Sequence, residues 1–338
     1  MNADEWLGGR RPVQPAVSLS AALPDGLPVI RDGVQVFMRR IFGARGRATT
    51  GDADAGLCGP GSPSWRIIAE PAAIAGGIRA LLLQTLHPLA MAGVADHSRF
   101  RHDPLARLQS TSAWVTTATF GTTEEVVAAA TAVRRAHRSV RGTAPDGRAY
   151  RAGDPALLAW VSMALTSSFL AADRLWAPRP VTAADADRFV AEQSRLAALL
   201  DERIALAPLR RDPEAGDRLR ADEVALPLRD ELPRSVAELA AALEAVAPEL
   251  AAGAQARDAV RFLRWPPLPH AVRGAYLPLF AGAAGSLPRW QRRMLDVPVG
   301  RMGARAAVAN AGNMLGLLRS AVGRSPAYTL AAARVAAA

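Results

Sequence analysis

The stretch that decides the fold is Gly121–Gly142, which reads GTTEEVVAAATAVRRAHRSVRG. Thr122 and Glu125 have the spacing of a capping box, which predicts that a helix begins here. Gly142 is the expected stop of that helix. Its apolar stripe consists of Val126, Ala130, Val133, His137 and Val140. An amphipathic helix of this kind packs its apolar face on a core, so the imidazole of His137 needs a partner there.

The partner of His137 is either a hydrogen-bonding group or a metal ion, and spacing alone leaves both open. Iron is the metal considered, since it takes an imidazole as an axial ligand in helical proteins. Three arginines flank the histidine, and their guanidinium groups could meet cofactor carboxylates or form the solvated face of the helix. They are Arg134, Arg138 and Arg141.

The rest of the chain repeats the helical pattern, with strong start and stop signals. Apolar Pro71–Leu86 should end at His87-Pro88, because proline disfavours helix in the residue before it. Further helices should begin at Asp103-Pro104, Asp154-Pro155, Thr182, and Ser235. Sustained period-two alternation is lacking, so we predict an all-α fold: one large, bundle-like, multi-helix domain over residues 65–322.

The flanks of this domain look less regular. Residues 1–64 are predicted to be a Pro-rich N-terminal arm, a short amphipathic helix at Val34–Phe42 and a Gly/Pro loop at Gly43–Pro63. That loop should be mobile or act as a lid. The charged, Pro-containing residues 203–234 are expected to be a surface excursion, and residues 323–338 a C-terminal tail of frayed helix.

The 338-residue chain contains 41 arginines and no lysine. This excludes Schiff-base and phosphate-loop lysines. The net charge of +10 could indicate nucleic-acid binding, but the arginines alternate with acids and no nucleic-acid motif is present. We therefore predict no nucleic-acid partner. The excess positive charge could instead bind cofactor carboxylates or make a peripheral membrane contact.

Cys58 is the only cysteine, which excludes an intrachain disulfide. It lies in a Gly/Pro loop, where an ordinary thiol is expected and a thiolate iron ligand is the alternative. The polar N-terminus lacks the apolar core of a signal peptide. Residues 71–95 are interrupted by polar side chains and proline, which argues against a transmembrane helix. We expect a cytoplasmic protein.

Arg107 and Thr111 lie four residues apart on a predicted helix, so both project from one face. Such a pair can hold a polar ligand, with the guanidinium supplying charge and the hydroxyl a hydrogen bond. A surface arginine beside a threonine bonded to its own backbone is the alternative. A second iron site could be drawn from His97, His102 and Asp103, although nearly contiguous ligands rarely form such a site.

Four stretches occur in an order that resembles a known family. They read GGIRALLLQTLHPLAMAGVADHSRFRHDPLARLQST (76–111), FGTTEE (120–125), HRSVRG (137–142) and YRAGDPALLAWV (150–161). Together they resemble the rubber-oxygenase (latex-clearing) and mycophenolic-acid oxygenase family, formerly the uncharacterised domain DUF2236, over residues 65–290.

The resemblance implies a helical core that is partly globin-like, haem b as cofactor, and oxidation of an apolar substrate by dioxygen. It implies that His137 is the proximal iron ligand and that Arg107 and Thr111 are catalytic residues on the distal side. Arg107 and Arg134 are also predicted to contact the cofactor.

The chain departs from the family at two positions. Ser110 stands where latex-clearing members have a lysine between the arginine and the threonine, and Ser162 stands where many relatives have a histidine. The expected secretion signal of a rubber degrader is missing, which argues for a small or medium-sized isoprenoid-like or secondary-metabolite substrate. The alternatives are a haem protein with a peroxidase-like, tailoring or sensory role, and a cofactor-free helical interaction protein.

Overall fold

The computed structural model describes residues 3–9, 54–97, 104–297 and 299–337. These residues are predominantly helical, and the strands among them form one two-stranded hairpin. The all-α prediction is confirmed. The predicted helix at Val34–Phe42 lies outside the described residues.

The helices and strands are, in chain order, α1 (Ala3–Trp6), α2 (Pro63–Ala69), α3 (Ala72–Gln84), α4 (Pro88–His97), α5 (Pro104–Phe120), α6 (Thr123–Arg138), β1 (Arg141–Thr143), β2 (Ala149–Arg151), α7 (Pro155–Trp176), α8 (Ala183–Ala198), α9 (Leu206–Arg211), α10 (Ala215–Arg220), α11 (Pro227–Glu231), α12 (Val236–Val246), α13 (Ala254–Arg264), α14 (His270–Gly285), α15 (Arg289–Met294), α16 (Arg301–Val322) and α17 (Pro326–Ala336). A 3₁₀ turn, Ala247–Glu249, follows α12.

The predicted start signals act as helix caps. The Thr122 hydroxyl accepts from the backbone N–H of Glu125 at 3.2 Å, and the Glu125 carboxylate accepts from the Thr122 N–H at 2.9 Å, which completes the capping box. Asp154, Thr182 and Ser235 cap α7, α8 and α12. Helix α3 ends at Gln84 and Pro88 begins α4, as the His87-Pro88 pair predicts.

The larger core lies where α3 packs on α7 and α14 packs on α16. The second pair approaches so closely that a Cβ at Gly282 would lie 2.2 Å from the Cβ of Ala311. The Trp176 indole donates to the carbonyl of Val308 at 2.9 Å and ties α7 to α16. Small residues at the crossing allow this contact, because a bulkier side chain would hold the helices apart.

A second core cluster surrounds α6, where Val126, Val127 and Ala130 are buried. The helices α9, α10 and α11 cover it from residues 206–231, which corrects the prediction of a surface excursion. The buried leucines of this segment are Leu206, Leu209, Leu219, Leu226, Leu228 and Leu232. They are spaced among charged residues, so the composition is polar although one side of each short helix is apolar.

The described part of the N-terminal region is attached to the domain. Trp6 is buried, and its carbonyl accepts a hydrogen bond from the fully buried guanidinium of Arg79 at 2.5 Å. Trp6 and Leu7 therefore pack into the core, whereas the sequence indicated an extended arm.

The described end of the predicted Gly/Pro lid begins at Asp54, and hydrogen bonds hold it in place. The Asp54 carboxylate accepts from the backbone N–H of Thr123 at 2.6 Å and from that of Gly56 at 2.7 Å. Gly56 has φ +69°, and a Cβ there would lie 2.0 Å from the carbonyl oxygen of Gly121. Because only glycine fits this approach, residues 54–62 lie against the start of α6.

The C-terminal residues form a capped helix where a frayed tail was expected. The Ser325 hydroxyl accepts from the Tyr328 N–H at 3.2 Å, and Ala327 and Ala331 are buried in the larger core. Alanines four residues apart give α17 an apolar stripe that the tail's composition conceals.

Among the described residues, α7 is long and apolar enough to span a membrane, and α2 with α3 would pass the same test as one segment bent by 91°. In α7, 67% of the most apolar window is buried in the domain.

Candidate functional site

The candidate site lies at the open end of the hairpin formed by α5 and α6. Only Gly121 and Thr122 join these two helices, which contact each other. At about 1.5 Å per residue, Arg107 on α5 and His137 on α6 both lie about 22 Å from the turn, and Thr111 about 16 Å from it. Arg107 and His137 thus lie at similar distances from the turn along their own helices, and the Arg107 side chain lies outside the described structure.

His137 is half-buried on the last turn of α6. One turn earlier Arg134 is buried while Arg135 is exposed, and beyond His137 the chain continues into β1. Val140 lies against Gly93 of α4, where a Cβ would be 3.4 Å from the valine side chain. The end of α6 therefore lies beside α4.

Thr111 is half-buried on α5. Other helical threonines bond to the carbonyl four residues back: Thr116 to Ser112 at 2.7 Å, and Thr131 to Val127 at 2.8 Å. The same bond at Thr111 would go to the carbonyl of Arg107, so the back-bonded alternative stays open beside a role in ligand binding.

Arg134 is buried and bound to the protein's own backbone. Its Nε donates to the carbonyl of Leu199 at 2.8 Å, and its Nη1 donates to the carbonyl of Ile204 at 2.8 Å. Burial lowers the pKa of the guanidinium, which still lies in the range where it is charged. The arginine thus ties α6 to the loop that follows α8, one turn before His137.

The other two arginines beside the histidine lie on the outside. Arg138 is exposed and pairs with Glu202 at 3.1 Å. Arg141 is exposed on β1, and its carbonyl oxygen lies 3.1 Å from Nε2 of His97. His102 and Asp103, the other members of the second predicted iron site, lie outside the described residues.

The two departures from the family pattern have different surroundings. Ser110 is exposed on α5. Ser162 is half-buried on α7, and its carbonyl accepts from the Thr166 hydroxyl at 2.8 Å. Neither position carries a side chain that could act as an iron ligand in the way that lysine or histidine does.

A buried polar cluster lies at the junction of α3 and α4, where the sequence predicts only the end of a helix. The His87 ring is 5.6 Å from the Trp160 ring, and its Nε2 is 3.9 Å from a Glu249 carboxylate oxygen. Burial lowers the pKa of His87, so the neutral imidazole is favoured. Nε1 of Trp160 and Nε2 of Gln84 are buried without a hydrogen-bond acceptor. In the sequence, this cluster shows only as a histidine, His87, within an apolar stretch. That pattern is too common to identify such a cluster.

Cys58 packs against both core clusters. Burial, and then the nearby charge of Glu192, raise the pKa of the thiol to about 12. The sulfur is therefore protonated at neutral pH, which argues against the thiolate alternative.

The described residues contain no group of three or more His, Cys, Asp or Glu side chains that could hold a metal ion. The donor that this part of the chain offers at the hairpin is a single imidazole. A porphyrin supplies four nitrogen ligands of its own, so one axial imidazole is the donor set that haem requires.

Residues 65–319 match the family described as "ER-bound oxygenase mpaB/B'/Rubber oxygenase, catalytic domain". The match covers most of the chain and spans α3 to α16, including both helices of the candidate site. No curated protein and no solved structure matches the chain.

Proposed function

The chain belongs to the mpaB and rubber-oxygenase catalytic-domain family, and we propose that it is a haem b-dependent oxygenase that oxidises an apolar substrate with dioxygen. The family supports an enzyme of the oxidoreductase type. The cofactor, the residues that hold it and the class of substrate are our proposal.

The observation that carries the proposal is the α5–α6 hairpin. The proposal puts His137, the iron ligand, and Arg107 and Thr111, the distal pair, on two contacting helices joined by two residues. The alternative of a core histidine fits less well, because the imidazole is half-buried on the last turn of α6, between exposed Ala136 and Arg138.

Haem b, when bound, supplies an iron centre for dioxygen chemistry. The residues of the chain then divide the remaining work. His137 would hold the iron, and the Thr111 hydroxyl would donate a hydrogen bond to an oxygen-containing ligand. Half-buried Trp114 and Val115 follow Thr111 on the same side of α5 and provide apolar surface that excludes water.

Arg134 receives a different role from the one the sequence suggested. Its guanidinium is engaged by two backbone carbonyls, so we assign it to holding α6 in place and not to the cofactor carboxylates. It is a positioning residue for His137.

The test is the optical spectrum of the purified protein, with iron and haem quantified in the same sample. We expect a Soret band and one haem b per chain, both lost in His137→Ala. His270→Ala is the matched control, because His270 is exposed at the start of α14, and it should keep its haem. Full haem occupancy in His137→Ala would overturn the ligand assignment, and a folded, colourless and iron-free wild type would overturn the cofactor.

Oxygen uptake then separates an oxygenase from a haem protein without turnover. With squalene as an isoprenoid probe, we expect substrate-dependent oxygen consumption and incorporation of labelled oxygen into the product. Haem-loaded protein that reduces peroxide but incorporates no oxygen into any of a panel of isoprenoid and aromatic probes would favour the peroxidase-like alternative.

A further inference from the structure

Trp265 is 60% exposed at the C-terminal end of α13. Most tryptophans bury their large apolar surface. The others in the described structure are buried or half-buried, and Trp265 is the one exposed aromatic side chain among these residues. An indole presented to solvent at the end of a helix is therefore unusual within this molecule.

The exposed indole is held in place. The guanidinium carbon of Arg273 lies 5.1 Å from the Trp265 ring centroid, a cation–π distance, and Nη2 of Arg273 donates to the carbonyl of Leu268 at 3.0 Å. The intervening turn contains Pro266 and Pro267, which restrict the backbone. One face of the indole is thus covered by a fixed cation, and the side chain is prepared for binding instead of being loosely mobile.

A basic stripe leads to this indole along α13. Arg257, Arg261 and Arg264 are spaced four and three residues apart, so they share one side of the helix, and all three are exposed. Arg261 pairs with Asp258 at 3.0 Å, whereas Arg264 has no acidic partner in the described structure. We call Arg257, Arg261, Arg264, Trp265 and Arg273 the α13 corner. Its charge is positive overall and its most prominent side chain is apolar.

The opposite side of α13 leads toward the candidate site. Ala256 and Ala259 are buried against Met91 of α4. Helix α4 in turn contacts the β1–β2 hairpin and places Gly93 beside Val140, one turn beyond His137. One helix therefore separates the α13 corner from the open end of the α5–α6 hairpin.

We propose, on the basis of the function proposed above, that the α13 corner docks the protein on an anionic lipid bilayer, from which an apolar substrate reaches the site. Arginines bind lipid phosphates, and indoles settle at the interface between headgroups and acyl chains. A single-stranded nucleic acid would instead be expected to meet several stacking aromatics along a groove, and the corner presents one indole.

The experiment is sedimentation of the full-length protein with sucrose-loaded vesicles. One set contains phosphatidylcholine with phosphatidylglycerol as the anionic lipid, and the other contains phosphatidylcholine alone. The wild type should bind the anionic vesicles more tightly. Arg261→Gln with Arg264→Gln should lower the partition coefficient about 25-fold, since each arginine contributes about fivefold. Trp265→Ser should lower it about tenfold, through lost apolar burial.

The matched control is Arg138→Gln with Arg210→Gln. These arginines are exposed, pair with Glu202 and Glu124, and carry the same total charge, but they lie on α6 and α9. Screening at physiological ionic strength limits their effect to less than about twofold. Equal losses of vesicle binding in the two double variants would show that the effect comes from net charge alone. That result would overturn the α13 corner as the docking surface.

Two further outcomes would overturn the proposal: no vesicle binding by the wild type, and tighter binding to a DNA oligonucleotide that is lost in the same α13 variants. Haem content is measured separately on each sample. Vesicle binding can therefore fail while the Soret band persists, and the band can be absent while binding persists, so the two proposals fail independently.

Discussion

The two core clusters of this protein are held together in different ways. Around α14 and α16, the helices touch through glycine and alanine, and apolar packing fills the space between them. Around α6, three short helices supply leucines, and arginines bind backbone carbonyls and aspartates in the loops between them. The candidate site therefore depends on polar clamps, while the larger core provides the rigid support behind it.

The largest effect should come from the helix crossing in the larger core. Gly282→Ala places a methyl group 2.2 Å from the Cβ of Ala311, and neither atom belongs to a flexible side chain. We expect a loss of about 3 kcal/mol in the free energy of unfolding. Urea denaturation followed by circular dichroism measures it.

Gly274→Ala is the control for this substitution in the same helix. No atom lies within 4 Å of a Cβ at Gly274, so the alanine should stabilise α14 by about 0.5–1 kcal/mol through its helix propensity. Equal losses in the two variants would show that the crossing is not tightly packed.

The next effect tests the polar clamp around α6. Arg134→Gln should leave the carbonyls of Leu199 and Ile204 without their donor and cost about 2 kcal/mol in the free energy of unfolding. Hydrogen exchange should increase in α6 and in residues 199–204, with little change in α14 and α16. Exposed Arg135→Gln serves as the control, and equal exchange in both variants would contradict the clamp.

The smallest effect concerns His87, next to the larger core. Burial lowers its pKa below the ordinary value of 6.5, so the unfolded chain takes up the proton first as the pH falls. Stability should therefore decrease below about pH 6.5 until the lower folded pKa is reached, by about 1 kcal/mol or less. Denaturation of the wild type and His87→Gln at pH 7 and pH 5 measures this difference, and an equal pH dependence in both proteins would contradict it.

The sequence predicted the helical elements well where the signal was local. The Thr122–Glu125 capping box and the Asp154, Thr182 and Ser235 caps form because each needs only a few neighbouring residues. The covering helices in residues 203–234 were missed because their leucines become a core only when α6 is there to receive them. Helix α17 was missed for a similar reason, since its alanines pack on helices far away in the sequence.

For the candidate site, the sequence predicted His137 and Thr111, and the structure shows that the helices carrying them are in contact. The proposed role of Arg134 changed, because its partners lie about 65 residues away and follow from no local spacing. The His87–Trp160 cluster and the α13 corner were not predicted, since burial and exposure of a given tryptophan depend on which elements cover it.

The main helix starts and the family could be read from local signals, because caps, stop signals and ordered motifs act over short distances. Only the folded chain shows which arginine binds backbone and which faces solvent, which tryptophan is exposed, and which glycines lie at a helix crossing. Those properties arise from contacts between residues far apart in the chain, whose energies depend on burial and on the partners that the fold brings together.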